Sequence, residues 1–224
     1  MKIIAHRGFS AHYPENTLLA FEKALESGAD GIETDLRLSR DEKAFIFHDA
    51  DLTRISGQDK SPETLTLDQL QKLDAGDGEH IPSLDELLRL SASKVTLILE
   101  IKYNPSTYKR LCEVILEHIS DKLGWVEVSC FEDRVLEYIH KLNPELRLHK
   151  LIDKAKILKN KSFETRYDYV SYFDIHIKLS KIVSGLGLIQ RYKIIFWTVD
   201  QENITQEKEE GLYAIMSTNP KQFL

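Results

Sequence analysis

Glu33 and Asp35 in GIETDLR, and Glu100 and Lys102 in LILEIKYN, stand two residues apart within runs of apolar and β-branched neighbours. In an extended chain side chains alternate across the strand, so each pair shares one face, while Thr34 and Ile101 face the other way. If the two runs are strands of one barrel, three carboxylates meet at one of its ends. Three carboxylates repel one another unless a positive charge or a proton intervenes. A hard divalent cation is the common answer, and an all-oxygen donor set favours Mg²⁺ or Ca²⁺ over zinc. The competing reading is a charge network in which the carboxylates pair with Arg7, Arg37 and Lys102.

Two histidines end apolar runs. His6 closes KIIAH, with Arg7 next to it, and His48 closes FIFH in FIFHDADLTR. A pair of histidines beside an acidic cluster suits general acid and base work near neutral pH. Arginine's planar fork matches a phosphate, and lysine supplies a point charge. Arg7 and Lys102 are expected in those roles, each without a second acidic partner. Together these groups suggest phosphoryl chemistry, although no Walker loop or G-x-G-x-x-G is present. His12, His80, His118, His140, His149 and His176 are read as ordinary polar residues.

The elements that must position these groups alternate. Strands are expected to begin near residues 2, 31, 95, 126, 147, 168, 194 and 213. Helical patterns lie between them: Asn16 to Ser27, about 106 to 121, near 132 to 142, and a short helix in QENITQEKEEG. TLDQLQKL and SLDELLRL are short helices with Thr66 and Ser83 as N-caps. Alternation of this kind implies a parallel sheet with helices outside, and eight strands close a (β/α)₈ TIM barrel. The extended run Ala44 to Phe47 does not fit that sheet. Only Ser-Arg-Asp-Glu-Lys separates it from Leu38, too short for a parallel crossover, so it must return antiparallel as a small β-hairpin insertion after the second strand. That hairpin brings residues 47 and 48 opposite Asp35.

The chain has 224 residues, of which 42% are hydrophobic and 29% charged, in keeping with one globular domain over 1–224. Its net charge of −6 argues against a nucleic-acid or anionic-membrane binder, while leaving room for a small anionic substrate. Cys112 and Cys130, with no CxxC spacing, read as reduced core residues. No apolar run approaches the ~18 residues of a membrane span, and the expected location is the cytoplasm.

The ordered set HRG, PENTLLAF, GIETDLRLSRDEKAFIFHDADLTRISG, IPSLDELL and LILEIK resembles the glycerophosphodiester phosphodiesterase family. Weaker echoes follow in VEVSCFEDRVLEYIHKLNPELRLHKLI, FWTVD and STNP, so the likeness runs nearly end to end. GLYAIMSTNP departs from the family pattern at Tyr213 and Met216. The resemblance implies Glu33, Asp35 and Glu100 as ligands of one divalent cation and His6 and His48 as the acid/base pair. It implies Arg7 and Lys102 as phosphate contacts and Trp197 as an aromatic lining the substrate pocket. Glu15 and Asn16 take supporting roles in the PENT loop. The implied reaction is hydrolysis of a water-soluble glycerophosphodiester to glycerol 3-phosphate and an alcohol. Alternatives are lysophospholipase D-like action on single-chain lipids, a non-catalytic phosphate-binding barrel, and a Mg²⁺-dependent enolising enzyme.

Overall fold

The structure, a computed structural model, describes residues 1–200 and 210–224. Among the described residues nine strands follow one another: β1 (Lys2–His6), β2 (Gly31–Leu38), β3 (Ala44–Ile46), β4 (Thr96–Ile101), β5 (Val126–Cys130), β6 (Leu148–Ile152), β7 (Tyr172–His176), β8 (Ile194–Trp197) and β9 (Ala214–Ser217). Every strand but β3 is parallel to its neighbours, and β1 pairs with both β2 and β9. The ring therefore closes as an eight-stranded barrel, with helices such as Leu18–Ser27, Tyr108–Ile119 and Asp133–Leu142 outside. β3 hydrogen-bonds to β2 outside the ring, antiparallel, in the register Leu36 with Ile46 and Leu38 with Ala44. The small hairpin insertion is thus where the five-residue connection requires it.

Two expectations shift. The first helix begins at Leu18, because Thr17 caps it and Asn16 takes a left-handed conformation (φ 60°). β7 begins at Tyr172 rather than near 168, since Tyr167 and Val170 pack into the outer core instead of joining the sheet. The expected helix in QENITQEKEEG lies outside the described residues. Thr66 and Ser83 cap their helices with reciprocal capping boxes, to Gln69 and Glu86. Cys112 and Cys130 are free and buried. Among the described residues no helix is long and apolar enough to cross a membrane.

Two kinds of core hold the barrel. Outward-facing side chains pack beneath the helices, whereas Ile4, Ile98, Tyr172, Ile195, Ala214 and Met216 fill the interior. A separate small core, Phe45, Phe47, Leu52, Leu70 and Ile81, stiffens the excursion that carries the hairpin. Tyr213 packs against Tyr172 below the strands' C-terminal rim, so the departure there leaves the mouth of the barrel alone.

The interior also contains a charge cluster unlike the ordinary polar setting expected of His149. The fully buried His149 lies between Asp174 (Nδ1 to Oδ1, 3.0 Å) and Glu127 (Nε2 to Oε2, 2.8 Å), and Arg147 Nε stands 2.7 Å from Glu127. Burial disfavours an imidazolium, but Asp174 and Glu127 outweigh it and push the histidine up to about 9. Asp174 is itself raised, burial prevailing over the attraction of His149. A raised histidine contributes stability that is complete below its unfolded value of 6.5 and is lost as pH climbs through about 9. That contribution is on the order of 3 kcal/mol. Thermal denaturation should show an alkaline decline in stability between pH 7 and 9.5, and His149→Gln should flatten it. A parallel decline in the variant would assign it elsewhere.

Candidate active site

β1 ends at His6, and the chain turns at once through Arg7 (φ 57°) and Gly8 (φ 80°). A Cβ on Gly8 would lie 2.7 Å from the Ala20 carbonyl carbon, so only glycine lets the helix Leu18–Ser27 rest on this turn. The loop folds back until Asn16 N–H donates to the Arg7 carbonyl (3.0 Å). Asn16 is buried and uses both ends of its amide. Its Nδ2 donates to Asp35 Oδ2 (2.7 Å), and its Oδ1 accepts from Thr34 Oγ1 (2.8 Å). Asn16 and Thr34 thereby fix the rotamer of Asp35 from behind.

Glu33, Asp35 and Glu100 face one another, with one oxygen of each within 4.8 Å of the others, and all three are buried. Lys102 reaches Asp35 Oδ1 (2.8 Å) and Glu100 Oε1 (2.7 Å). Arg7 reaches Glu15 Oε2 (3.0 Å) and Asp35 Oδ2 (3.3 Å). The expectation that neither cation has a second acidic partner is therefore corrected: each bridges two carboxylates, because the barrel rim packs them among acids. The charge-network reading holds for Arg7 and Lys102 but not for Arg37. Arg37 instead pairs with Glu63 (2.9 Å) and donates to the carbonyls of Phe47 (3.2 Å) and His48 (2.9 Å). It pins the hairpin's return arm, whose Phe47 N–H donates to the Asp35 carbonyl (3.0 Å). His48 accordingly arrives beside the carboxylates.

The electrostatics separate the acids. Burial raises Glu33 well above the usual carboxylate range, and the neighbouring charges of Asp35 and Glu100 raise it further. Burial also lifts Glu100, to about 7, despite Lys102. For Asp35 burial is outweighed by Lys102 and Arg7, which hold it well below its ordinary value. His6 is lowered to about 3 by burial and by Arg7, and His48 is lowered by burial and Lys102. Both imidazoles are thus neutral at pH 7.

The donor set fits a hard cation. It is all oxygen and comes from three strand positions. Asp35 Oδ1 is buried without an aligned hydrogen bond, the Lys102 ammonium nearby notwithstanding. Among the described residues Glu33 has no lysine or arginine side chain of its own; its Oε2 meets the Arg7 N–H (3.2 Å) and His6 Nε2 (3.8 Å). With the three acids ionised and Arg7 and Lys102 charged, one negative charge is left over. A divalent ion would turn it into one positive charge, the complement of a phosphodiester. A second trio, Glu15, His48 and Asp49, also has ligand atoms within 4.8 Å. It fits a metal poorly, since Arg7, Arg54 and His48 already engage its carboxylates.

Trp197 ends β8 and donates from Nε1 to the Asp174 carbonyl (2.9 Å). Its ring meets His176 at 4.7 Å and Phe131 at 5.7 Å, making an aromatic wall across the ends of β5, β7 and β8. A cavity of about 620 Å³, lined by Phe131, Asp133, Lys150 and Arg166 among others, opens beside this wall. The sequence marks none of Phe131, Asp49 and Arg54, reads His176 as an ordinary polar residue and Thr34 as facing away, and offers Arg37 only as a partner of the carboxylates. Their signals are tertiary, except for Asp49, which follows His48 directly.

A profile of the glycerophosphoryl diester phosphodiesterase family matches residues 6–220. The glycerophosphodiester phosphodiesterase of Caldanaerobacter subterraneus subsp. tengcongensis is 31% identical, over 98% of this chain and 94% of its own. An Oleispira antarctica phosphodiesterase solved in complex with the product sn-glycerol-3-phosphate superposes with a TM-score of 0.87 at 26% identity, covering 99% of this chain and 94% of that one. A glycerophosphodiester phosphodiesterase from Thermotoga maritima gives 0.86 at 25% identity, covering 100% and 96%. The likeness spans the barrel from one end to the other, and the chain belongs to the glycerophosphoryl diester phosphodiesterase family, a family of phosphoric diester hydrolases.

Proposed function

We propose that this protein hydrolyses glycerophosphodiesters to glycerol 3-phosphate and an alcohol, with His6 and His48 as the acid/base pair. The carrying observation is the arrangement of two histidines, Arg7 and Lys102 around three buried carboxylates at one barrel mouth. Product bound to the Oleispira relative supports the same substrate class.

Glu33, Asp35 and Glu100 would hold one Mg²⁺ or Ca²⁺, which when bound offsets charge on the phosphate oxygens. Arg7 and Lys102 contact the same phosphate and stabilise the charge that develops in the transition state. One neutral histidine takes the proton of the neighbouring glycerol hydroxyl as its oxygen attacks phosphorus. The P–O bond to the alcohol breaks, and the other histidine, having taken up a proton from water as the anionic substrate binds, gives that proton to the departing oxygen. The cyclic phosphate is then opened by water with the two histidines exchanging roles. Trp197 lines the substrate's organic part.

The nearest second reading is lysophospholipase D-like action, which the aromatic wall could serve. Turnover of glycerophosphocholine and of lysophosphatidylcholine, measured side by side with added metal, decides between them. Glycerophosphocholine should be the better substrate; activity confined to the lipid would overturn the proposal.

A further inference from the structure

Arg54 lies outside the residues assigned to chemistry, on the helical turn Thr53–Ser56 that follows the hairpin. Its Nε donates to Asp49 Oδ2 (2.6 Å) and its Nη2 to Glu15 Oε1 (2.7 Å). Each of those carboxylates spends its other oxygen on a residue of the site. Asp49 Oδ1 lies 2.9 Å from His48 Nδ1, and Glu15 Oε2 accepts from Arg7 Nη1 at 3.0 Å. One guanidinium therefore stands between the group expected to move a proton and the group expected to grip the phosphate. The segments it joins are far apart in sequence, Arg54 and Glu15 being separated by 39 positions.

The arrangement has a chemical consequence. Asp49 is held below the usual carboxylate range: burial opposes this, but His48 and Arg54 prevail. An ionised Asp49 accepts from Nδ1, so the hydrogen of neutral His48 sits there and Nε2 is left as the basic nitrogen. Asp49 is a small side chain at a loop position. With Arg54 gone, its carboxylate is free to turn toward water. Glu15 would at the same time lose one of its two arginines.

Stability does not explain the device. Arg54's side chain is 50% exposed, and ion pairs at such positions are worth little to a fold. Only an arginine fork presents two donors at the separation needed to meet both carboxylates.

We infer that Arg54 is a positioning residue that holds His48 and Arg7 in mutual register through Asp49 and Glu15. The inference rests on the reading of His48 as a proton-transfer group. A competing role is attraction of the anionic substrate by a rim charge, which lysine would replace and which would act on KM.

The test compares Arg54→Gln and Arg54→Lys, each alone and with His48→Ala, on glycerophosphocholine with added metal. Melting curves verify the fold. Both single variants should lose about 10- to 100-fold in kcat with little change in KM, as expected when a reacting group loses its orienting partner. In the His48→Ala background Arg54→Gln should cost several-fold less than in the wild type, because the histidine it positions is gone and only its hold on Arg7 through Glu15 is left to lose. An equal loss in both backgrounds overturns the inference, as does full kcat in Arg54→Lys with the change confined to KM. A wild-type rate in His48→Ala alone overturns the acid/base reading instead, so the two failures are distinguishable. Independently of turnover, ¹⁵N-histidine spectra should show an exchange-protected Nδ1–H for His48 that Arg54→Gln abolishes. An unchanged signal also overturns the inference.

Discussion

Glu33→Gln is expected to abolish metal-dependent turnover while raising the melting temperature of the metal-free protein. Glutamine keeps the side chain's shape and can still accept from the Arg7 N–H, which Glu33 meets at 3.2 Å. What it removes is a charge. Burial together with Asp35 and Glu100 raises Glu33 well above its ordinary range, so ionised Glu33 weighs against the folded state when no cation is present. The metal-free variant is relieved of that repulsion. The same change takes the charge from one of the three proposed ligands, and loss of several kcal/mol of charge stabilisation corresponds to about 10³-fold or more in rate. Asp35→Ala and Glu100→Ala should be comparably inactive. If Glu33, Asp35 and Glu100 hold the ion in the folded chain alone, added Mg²⁺ or Ca²⁺ should raise the melting temperature of the unaltered protein and leave Glu33→Gln nearly unmoved. A variant with undiminished metal-dependent activity would contradict the ligand assignment.

His48→Ala carries the second large effect. Losing a general acid or base typically lowers turnover by about 10²- to 10⁴-fold. The imidazole is 35% exposed, so its removal opens no core cavity, and the fold and metal response should persist. Because Arg37 still holds the backbone carbonyl of residue 48 and Arg54 still holds Asp49, neighbouring groups should stay in place. A near-normal rate would mean that the hairpin reaches the rim without taking part in the reaction.

Much of this site follows from local rules. The period of a strand puts Glu33 with Asp35 and Glu100 with Lys102, and both pairs occur together at the barrel mouth. The connection from Leu38 to Ala44 forces a hairpin, and the hairpin register sets Phe47 against Asp35, which delivers His48. The rest depends on contacts no period describes. Thr34 faces away from the carboxylates, as alternation requires, yet it still serves the site by holding Asn16. Arg37 reads as one more candidate partner of the acids until the excursion's own core sets Glu63 and the His48 carbonyl beside it. Arg7 and Lys102 each bridge two acids because loop and strand converge in three dimensions. His149 looks like an ordinary polar residue in RLHKLI, and only barrel closure places it between strands that carry Glu127 and Asp174. β7 begins late because aromatic and β-branched residues in YDYVSYF serve an outer core as readily as a strand.

The most direct test strips the protein of metal with EDTA and offers it a panel of glycerophosphodiesters before and after Mg²⁺ or Ca²⁺ is restored, with glycerol 3-phosphate as the measured product. The site described here predicts no product without the ion, restoration by at least one of the two, and no restoration in Glu33→Gln. Full release of glycerol 3-phosphate in EDTA, or none from any diester with either ion present, would contradict it.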